Sequence, residues 1–118
     1  MRDHRKLEVF DFADDLVIKV YQATKSYPNE ELYGLVSQMR RSAVSVATNI
    51  VEGCGRRTEN EFNRFLDIAF GSVRELGYLI DLSAKLGYLR GEDANQLGEI
   101  YKRCAGALGA FIKTRESY

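Results

Sequence analysis

The stretch QMRRSAVSVATNIVEGCGRR, residues 38 to 57, decides the fold. Met39, Ala43, Val46, Ala47, Ile50 and Val51 recur at three- and four-residue spacing, which on a helix makes one apolar stripe. A second line, Gln38, Arg41, Ser45, Asn49, Glu52 and Arg56, keeps the same spacing and stacks on a neighbouring face. The apolar stripe packs into a core. The polar one either holds a hydrogen-bonded seam or faces a partner. Val44, Val46, Ile50 and Val51 are only middling helix formers, so SVATNIV also reads as a strand; the periodicity continuing on both sides favours the helix. Small residues, Ser42, Ala43, Ser45, Ala47 and Thr48, let a neighbouring helix come close.

Upstream, Leu32, Leu35 and Val36 extend the stripe, so this second helix is expected from about Glu30 to Val51 or Cys54. Asn29 is its expected N-cap, and Gly53 and Gly55 are expected to end it with a left-handed cap. Before it, Phe12, Ala13, Leu16, Val17, Val20, Tyr21, Thr24 and Tyr27 give a first helix that must stop before Pro28. Asp11 is its expected cap, and Met1 to Val9 reads as a frayed, charged lead-in.

Downstream, Arg56 and Arg57 fall in a link, and Thr58 with Glu61 forms a capping box. The third helix carries Phe62, Phe65, Leu66, Ala69, Val73, Leu76, Ile80, Ser83 and Leu86. A further set, Ile68, Leu79 and Leu82, makes its apolar face wider than one core requires. Gly71-Ser72 suggests close backbone contact, whereas Gly77 reads equally well as a tolerated exposed glycine. Gly87 to Gly91 is a turn. A fourth helix from near Glu92 buries Ala94, Leu97, Tyr101, Cys104, Leu108, Phe111 and Ile112, with fraying from Arg115 to Tyr118. Residues 1–118 thus read as a single all-α domain, an up-down-up-down four-helix bundle. The surplus apolar face predicts a cyclic homo-oligomer.

With 118 residues, 45% apolar and 29% charged, the composition is that of a soluble globular domain. Lys plus Arg equals Asp plus Glu, 17 against 17, so nucleic-acid affinity would need a local patch. Cys54 and Cys104 match no zinc spacing and read as buried free thiols, which suits a reducing cytoplasm. No apolar run has signal-peptide or membrane-spanning length, so no membrane partner is expected.

The chemistry on offer is thin. His4, in the lead-in, reads as a surface residue, so no histidine-based triad, HExxH or di-iron pattern exists. Glu52, Glu61 and Glu75 make a carboxylate cluster only if geometry brings them together. Gly53-x-Gly55 follows no strand and lacks a phosphate-loop lysine. No catalytic residue, metal site or cofactor is expected, and the protein reads as no enzyme. Gln38, Ser45, Asn49 and Glu52 form the candidate polar seam, with Glu52 placed to accept from an arginine across the helix pair. Arg40, Arg41, Arg56, Arg57 and Arg64 form the locally basic region. They serve either a solvated, salt-bridged surface or contacts to phosphates or a partner.

Pro28, Glu31, Tyr33-Gly34-Leu35, Gln38, Arg40-Arg41, Ala43, Ser45, Asn49-Ile50, Glu52-Gly53, Arg56, Glu61, Phe62, Phe65-Leu66, Ala69, Gly71-Ser72 and Glu75-Leu76 carry a resemblance. The chain resembles a small bacterial family of four-helix bundle proteins, first noticed as open reading frames in intervening sequences of 23S ribosomal RNA genes. The likeness extends more loosely to Tyr21 and to Leu86-Gly87-Tyr88-Leu89. Phe10 stands where the family usually has tryptophan. The resemblance implies a protomer that assembles into a ring-like pentamer of unsettled role. It also implies a relation to the accessory proteins of diversity-generating retroelements, which are basic, contact nucleic acid and bind a reverse transcriptase. Two functional classes follow. One is a homo-oligomeric scaffold or adaptor with a protein partner. The other is an accessory protein that binds RNA or DNA through the arginines.

Overall fold

Helices α1 (Glu8–Thr24), α2 (Ser37–Cys54), α3 (Glu59–Lys85) and α4 (Gly91–Arg115) account for most of the chain in the computed structural model, which describes residues 1–115. Each packs on the next, and α4 closes back on α1. Short links make neighbours antiparallel, so the four form an up-down-up-down bundle with extents of 44 × 23 × 20 Å. Leu16, Val20, Met39, Val46, Ile50, Phe62, Leu66, Val73, Leu76, Leu97 and Leu108 are fully buried along its axis. These are the positions the apolar periodicity selects, and SVATNIV is helical.

The element ends depart from expectation. The lead-in is docked, because its groups find partners on distant elements. His4–Lys6 is a 3-10 turn capped by the Asp3 carboxylate, and the Arg2 amide donates to the Cys54 carbonyl at 2.8 Å. The α1 helix therefore starts at Glu8, with Leu7 as an N-cap lacking a side-chain bond; Asp11 sits in the first turn. After Pro28 the chain forms a 3-10 turn (Asn29–Glu31) and a π turn (Leu32–Val36) before α2 becomes regular at Ser37. Gly34 breaks the helical geometry there, with φ −112° and ψ −105°. The expected Asn29 cap is replaced by Glu31, whose carboxylate accepts from the Leu35 amide at 3.2 Å.

The left-handed glycine caps occur elsewhere than expected. Gly55 has φ −81°, whereas Gly87 (φ 82°) and Gly91 (φ 63°) turn the chain from α3 into α4. Gly53 has a packing reason instead. A Cβ there would lie 2.9 Å from Phe65 Cβ and 3.2 Å from Phe62 Cδ1, so glycine permits the close approach of α2 to α3. Thr58 caps α3 as read: its hydroxyl accepts from the Glu61 amide at 3.1 Å and donates to the Glu61 carboxylate at 3.2 Å.

The close contact expected at Gly71 is found at Gly77 instead. Gly71 faces open space, whereas a Cβ on Gly77 would lie 2.2 Å from the Tyr101 hydroxyl oxygen. Tyr101 donates to the Val73 carbonyl at 3.2 Å and lays its ring against Gly77. The expected fraying near the C-terminus concerns residues 116–118, outside those described. Arg115 itself is helical and half-buried.

Candidate functional site

The polar stripe of α2 faces α3 along part of its length. The Ser45 and Ser72 hydroxyls meet at 2.8 Å and tie the two helices together. The Asn49 amide donates to the Ser45 carbonyl at 2.8 Å and to the Ser45 hydroxyl at 3.0 Å. Asn49 thus buttresses Ser45 within its own helix. The Glu52 carboxylate accepts from Arg56 at 2.6 Å, four residues on and just past the end of α2, so the expected bond across the helix pair is replaced by a nearer partner. The Arg56 guanidinium also lies 4.7 Å over the Phe65 ring. Gln38 joins Arg41, Ser42, Ser45, Ser72 and Glu75 around a shallow groove holding about 360 Å³ of open space.

The five arginines do not converge. Arg40 turns toward α1, donating to the Thr24 hydroxyl at 3.0 Å and the Tyr21 carbonyl at 3.4 Å, with its guanidinium 4.6 Å over the Tyr21 ring. It caps the C-terminal turn of α1, where carbonyls lack helical partners and the dipole is negative. Arg56 is spent on Glu52 and Phe65. Arg41, Arg57 and Arg64 are exposed, and among the described residues they have no hydrogen-bonded or ionic partner.

Two polar clusters escaped the sequence reading. The Lys19 ammonium, buried between α1 and α4, donates to the Asp93 carboxylate at 3.2 Å and to the Gln96 amide oxygen at 2.6 Å. The available signal was a lysine within the apolar run Leu16, Val20 and Ala23, with an aspartate and a glutamine three apart on α4. At the other end of the bundle Glu59 pairs with Arg2 at 2.9 Å and also with Arg115, which donates to Asn63 as well. Both guanidinium groups lie over the Phe62 ring, at 4.0 and 4.6 Å from its centroid. No local spacing announces that cluster, since its members come from the lead-in, α3 and the end of α4.

Reactive groups are muted. His4 packs edge-on against Phe10 with ring centroids 4.7 Å apart. Burial pushes the Cys104 thiol up to about 12 and raises that of Cys54, so neither is an ionised nucleophile near neutral pH. Among the described residues no group of three or more His, Cys, Asp and Glu side chains is placed to hold a metal ion. No helix among them is long and apolar enough to cross a membrane.

The surplus apolar face of α3 is partly consumed by the core: Leu79 is buried and Leu82 half-buried. Ile68 stays 42% exposed on the same side, with Tyr78 at 64% and Leu86 at 51% farther along.

A crystal structure of a protein with unknown function from the S23 ribosomal protein family of Bacteroides thetaiotaomicron shares this fold, with a TM-score of 0.80 at 23% identity. The match covers 89% of this chain and 98% of that one. No curated protein matches the sequence. The family model described as 23S rRNA-intervening sequence protein matches residues 5–110, nearly the whole bundle. With that match over α1 to α4, the chain belongs to the 23S rRNA-intervening sequence protein family.

Proposed function

We propose that this protein is a non-enzymatic, homo-oligomeric scaffold or adaptor, a ring of four-helix protomers that presents surface to a protein partner. The observation that carries the reading is the apolar row left outside the core on α3, with Ile68, Tyr78 and Leu86 all exposed. A neutral chain with such a row gains by covering it, and a cyclic arrangement covers it without leaving open ends. The number five comes from the family resemblance. The raised thiols and the packed histidine support a role without catalysis. Sedimentation of the wild type and of Ile68→Asp tests the assembly. The wild type should run as one closed species at micromolar concentration, and the variant as smaller ones. A monomeric wild type refutes the reading.

A second reading has its own observation: Arg41, Arg57 and Arg64 are exposed cations with no partner among the described residues. In that reading they grip phosphates, as the likeness to retroelement accessory proteins suggests. Arg41→Ala with Arg57→Ala then weakens binding of short RNA or DNA near 0.05 M salt. Absence of binding by the wild type at that salt removes it.

A further inference from the structure

We propose that neighbouring copies join by laying the outer face of α1 from one protomer into the α2–α3 groove of the next. The inference rests on the homo-oligomeric reading above and names its two faces. The outer face of α1 carries Glu8, Asp11, Asp14 and Asp15, all exposed and, among the described residues, without a hydrogen-bonded or ionic partner. Asp11 sits three residues from Glu8 and Asp14 and four from Asp15, so the carboxylates repel one another along one side of the helix. The positive end of the helix dipole offsets part of that repulsion, most for Glu8 and Asp11. Cations from another chain would offset the rest. In the middle of the same face stands Ile18, 50% exposed. Beyond it comes Lys25, an exposed cation on the C-cap.

The α2–α3 groove offers the complement at the same heights. Ser45 and Ser72 line its middle, with the exposed Thr48 and Gly71 beside them, so a third helix can lie close there; Gln38, Arg41 and Glu75 line the rest. Three contacts set the levels along the bundle. Arg40 bonds Thr24, Ser45 bonds Ser72, and the Arg2 amide bonds the Cys54 carbonyl. Counting about 1.5 Å per residue from these anchors puts Ile18 level with the Ser45–Ser72 pair. Glu8 and Asp11 come level with the end of α2 that is flanked by Arg57 and Arg64, and Asp15 comes level with Asn49, about one turn back. Lys25 comes level with Gln38, toward the end where Glu75 lies. A rotation about an axis parallel to the bundle preserves these heights. It therefore brings Ile18 to the small residues of the groove and the carboxylates to Arg57 and Arg64, while Lys25 gains no net partner because Arg41 lines the groove together with Glu75. The α1 helix neighbours α2 and α4 and stands diagonally across from α3, so the two faces look away from each other. Such a contact is head-to-tail and generates a ring when its rotation closes.

Charge reversal tests the pairing. One variant carries Asp11→Lys and Asp15→Lys, a second Arg57→Glu and Arg64→Glu, and a third all four. All four sites are exposed, and thermal melts serve to check that each variant folds. Each single-face variant should need a protein concentration higher by about 100-fold or more to assemble, because like charges then meet across the contact. The chain with all four reversals should assemble again. If the wild type is monomeric, the homo-oligomeric reading itself fails. If the wild type assembles but either single-face variant does so equally well, or the fourfold variant does not recover, this pairing of faces is wrong. An unchanged assembly together with lost RNA binding by Arg57→Glu with Arg64→Glu also overturns it, and assigns those arginines to nucleic acid.

Discussion

Replacing Gly77 with alanine should destabilise the bundle although alanine is the better helix former. The added Cβ would stand 2.2 Å from the Tyr101 hydroxyl oxygen, 2.8 Å from Cζ and 3.3 Å from Cε1. Two of these are inside any tolerable contact, and an aromatic ring cannot bend out of the way, so Tyr101 must rotate as a whole. That breaks its hydrogen bond to the Val73 carbonyl, worth about 0.5–1.5 kcal/mol. It also strips packing from a half-buried ring, a loss of roughly 1–2 kcal/mol. Helix propensity returns about 1 kcal/mol. The net loss is about 0.5–2.5 kcal/mol, or roughly 2–10 °C in melting temperature for a domain of this size. Gly71→Ala on the same helix meets no atom within 4 Å and should gain about 0.5–1 kcal/mol. Urea or thermal unfolding at one fixed protein concentration compares the two. In a Tyr101→Ala background, Gly77→Ala should become stabilising, because the obstruction is gone. If Gly77→Ala matches Gly71→Ala in the wild-type background, the proposed close contact is wrong.

Arg40→Ala should cost about 1–3 kcal/mol, through the lost bonds to Thr24 and Tyr21, while leaving any nucleic-acid affinity unchanged; unaltered unfolding would contradict its capping role. Asp93→Ala leaves the buried Lys19 ammonium with only Gln96 and should cost about 1–3 kcal/mol, whereas Lys19→Met with Asp93→Ala should recover much of that loss. Burial raises the Tyr27 and Tyr101 phenols above their ordinary 10.0, so the fold favours their neutral forms. The resulting stability is complete below pH 10.0 and is lost as pH rises through the folded-state values, which a tyrosinate absorbance titration with parallel unfolding curves will show. A thiol reagent near pH 8 should leave Cys104, with its thiol near 12, unmodified until the protein unfolds.

The fold was legible because Met39, Ala43, Val46 and Ile50 repeat at the helical period, and all four are buried. Thr58 with Glu61 was legible for a similar reason: a capping box is complete within four residues. Asp11 misled because its cap chemistry suits many positions, whereas the true start of α1 follows a lead-in held by Cys54 and Glu59. Gly71 and Gly77 look alike in sequence and are distinguished only by Tyr101 on α4. The candidate site was half legible. Ser45 reaches Ser72 across the helix pair while Asn49 bonds only Ser45 on its own helix, and the adjacent Arg40 and Arg41 differ in fate because α1 places Thr24 and Tyr21 beside only the first. Long side chains choose partners by tertiary register, and no local spacing encodes it.

Sedimentation equilibrium of the untagged wild type decides whether this bundle works as part of a closed homo-oligomer. Five copies of 13.4 kDa predict one species of about 67 kDa, unchanged over a tenfold range of micromolar concentration. A single species of 13.4 kDa over that range would rule the closed homo-oligomer out.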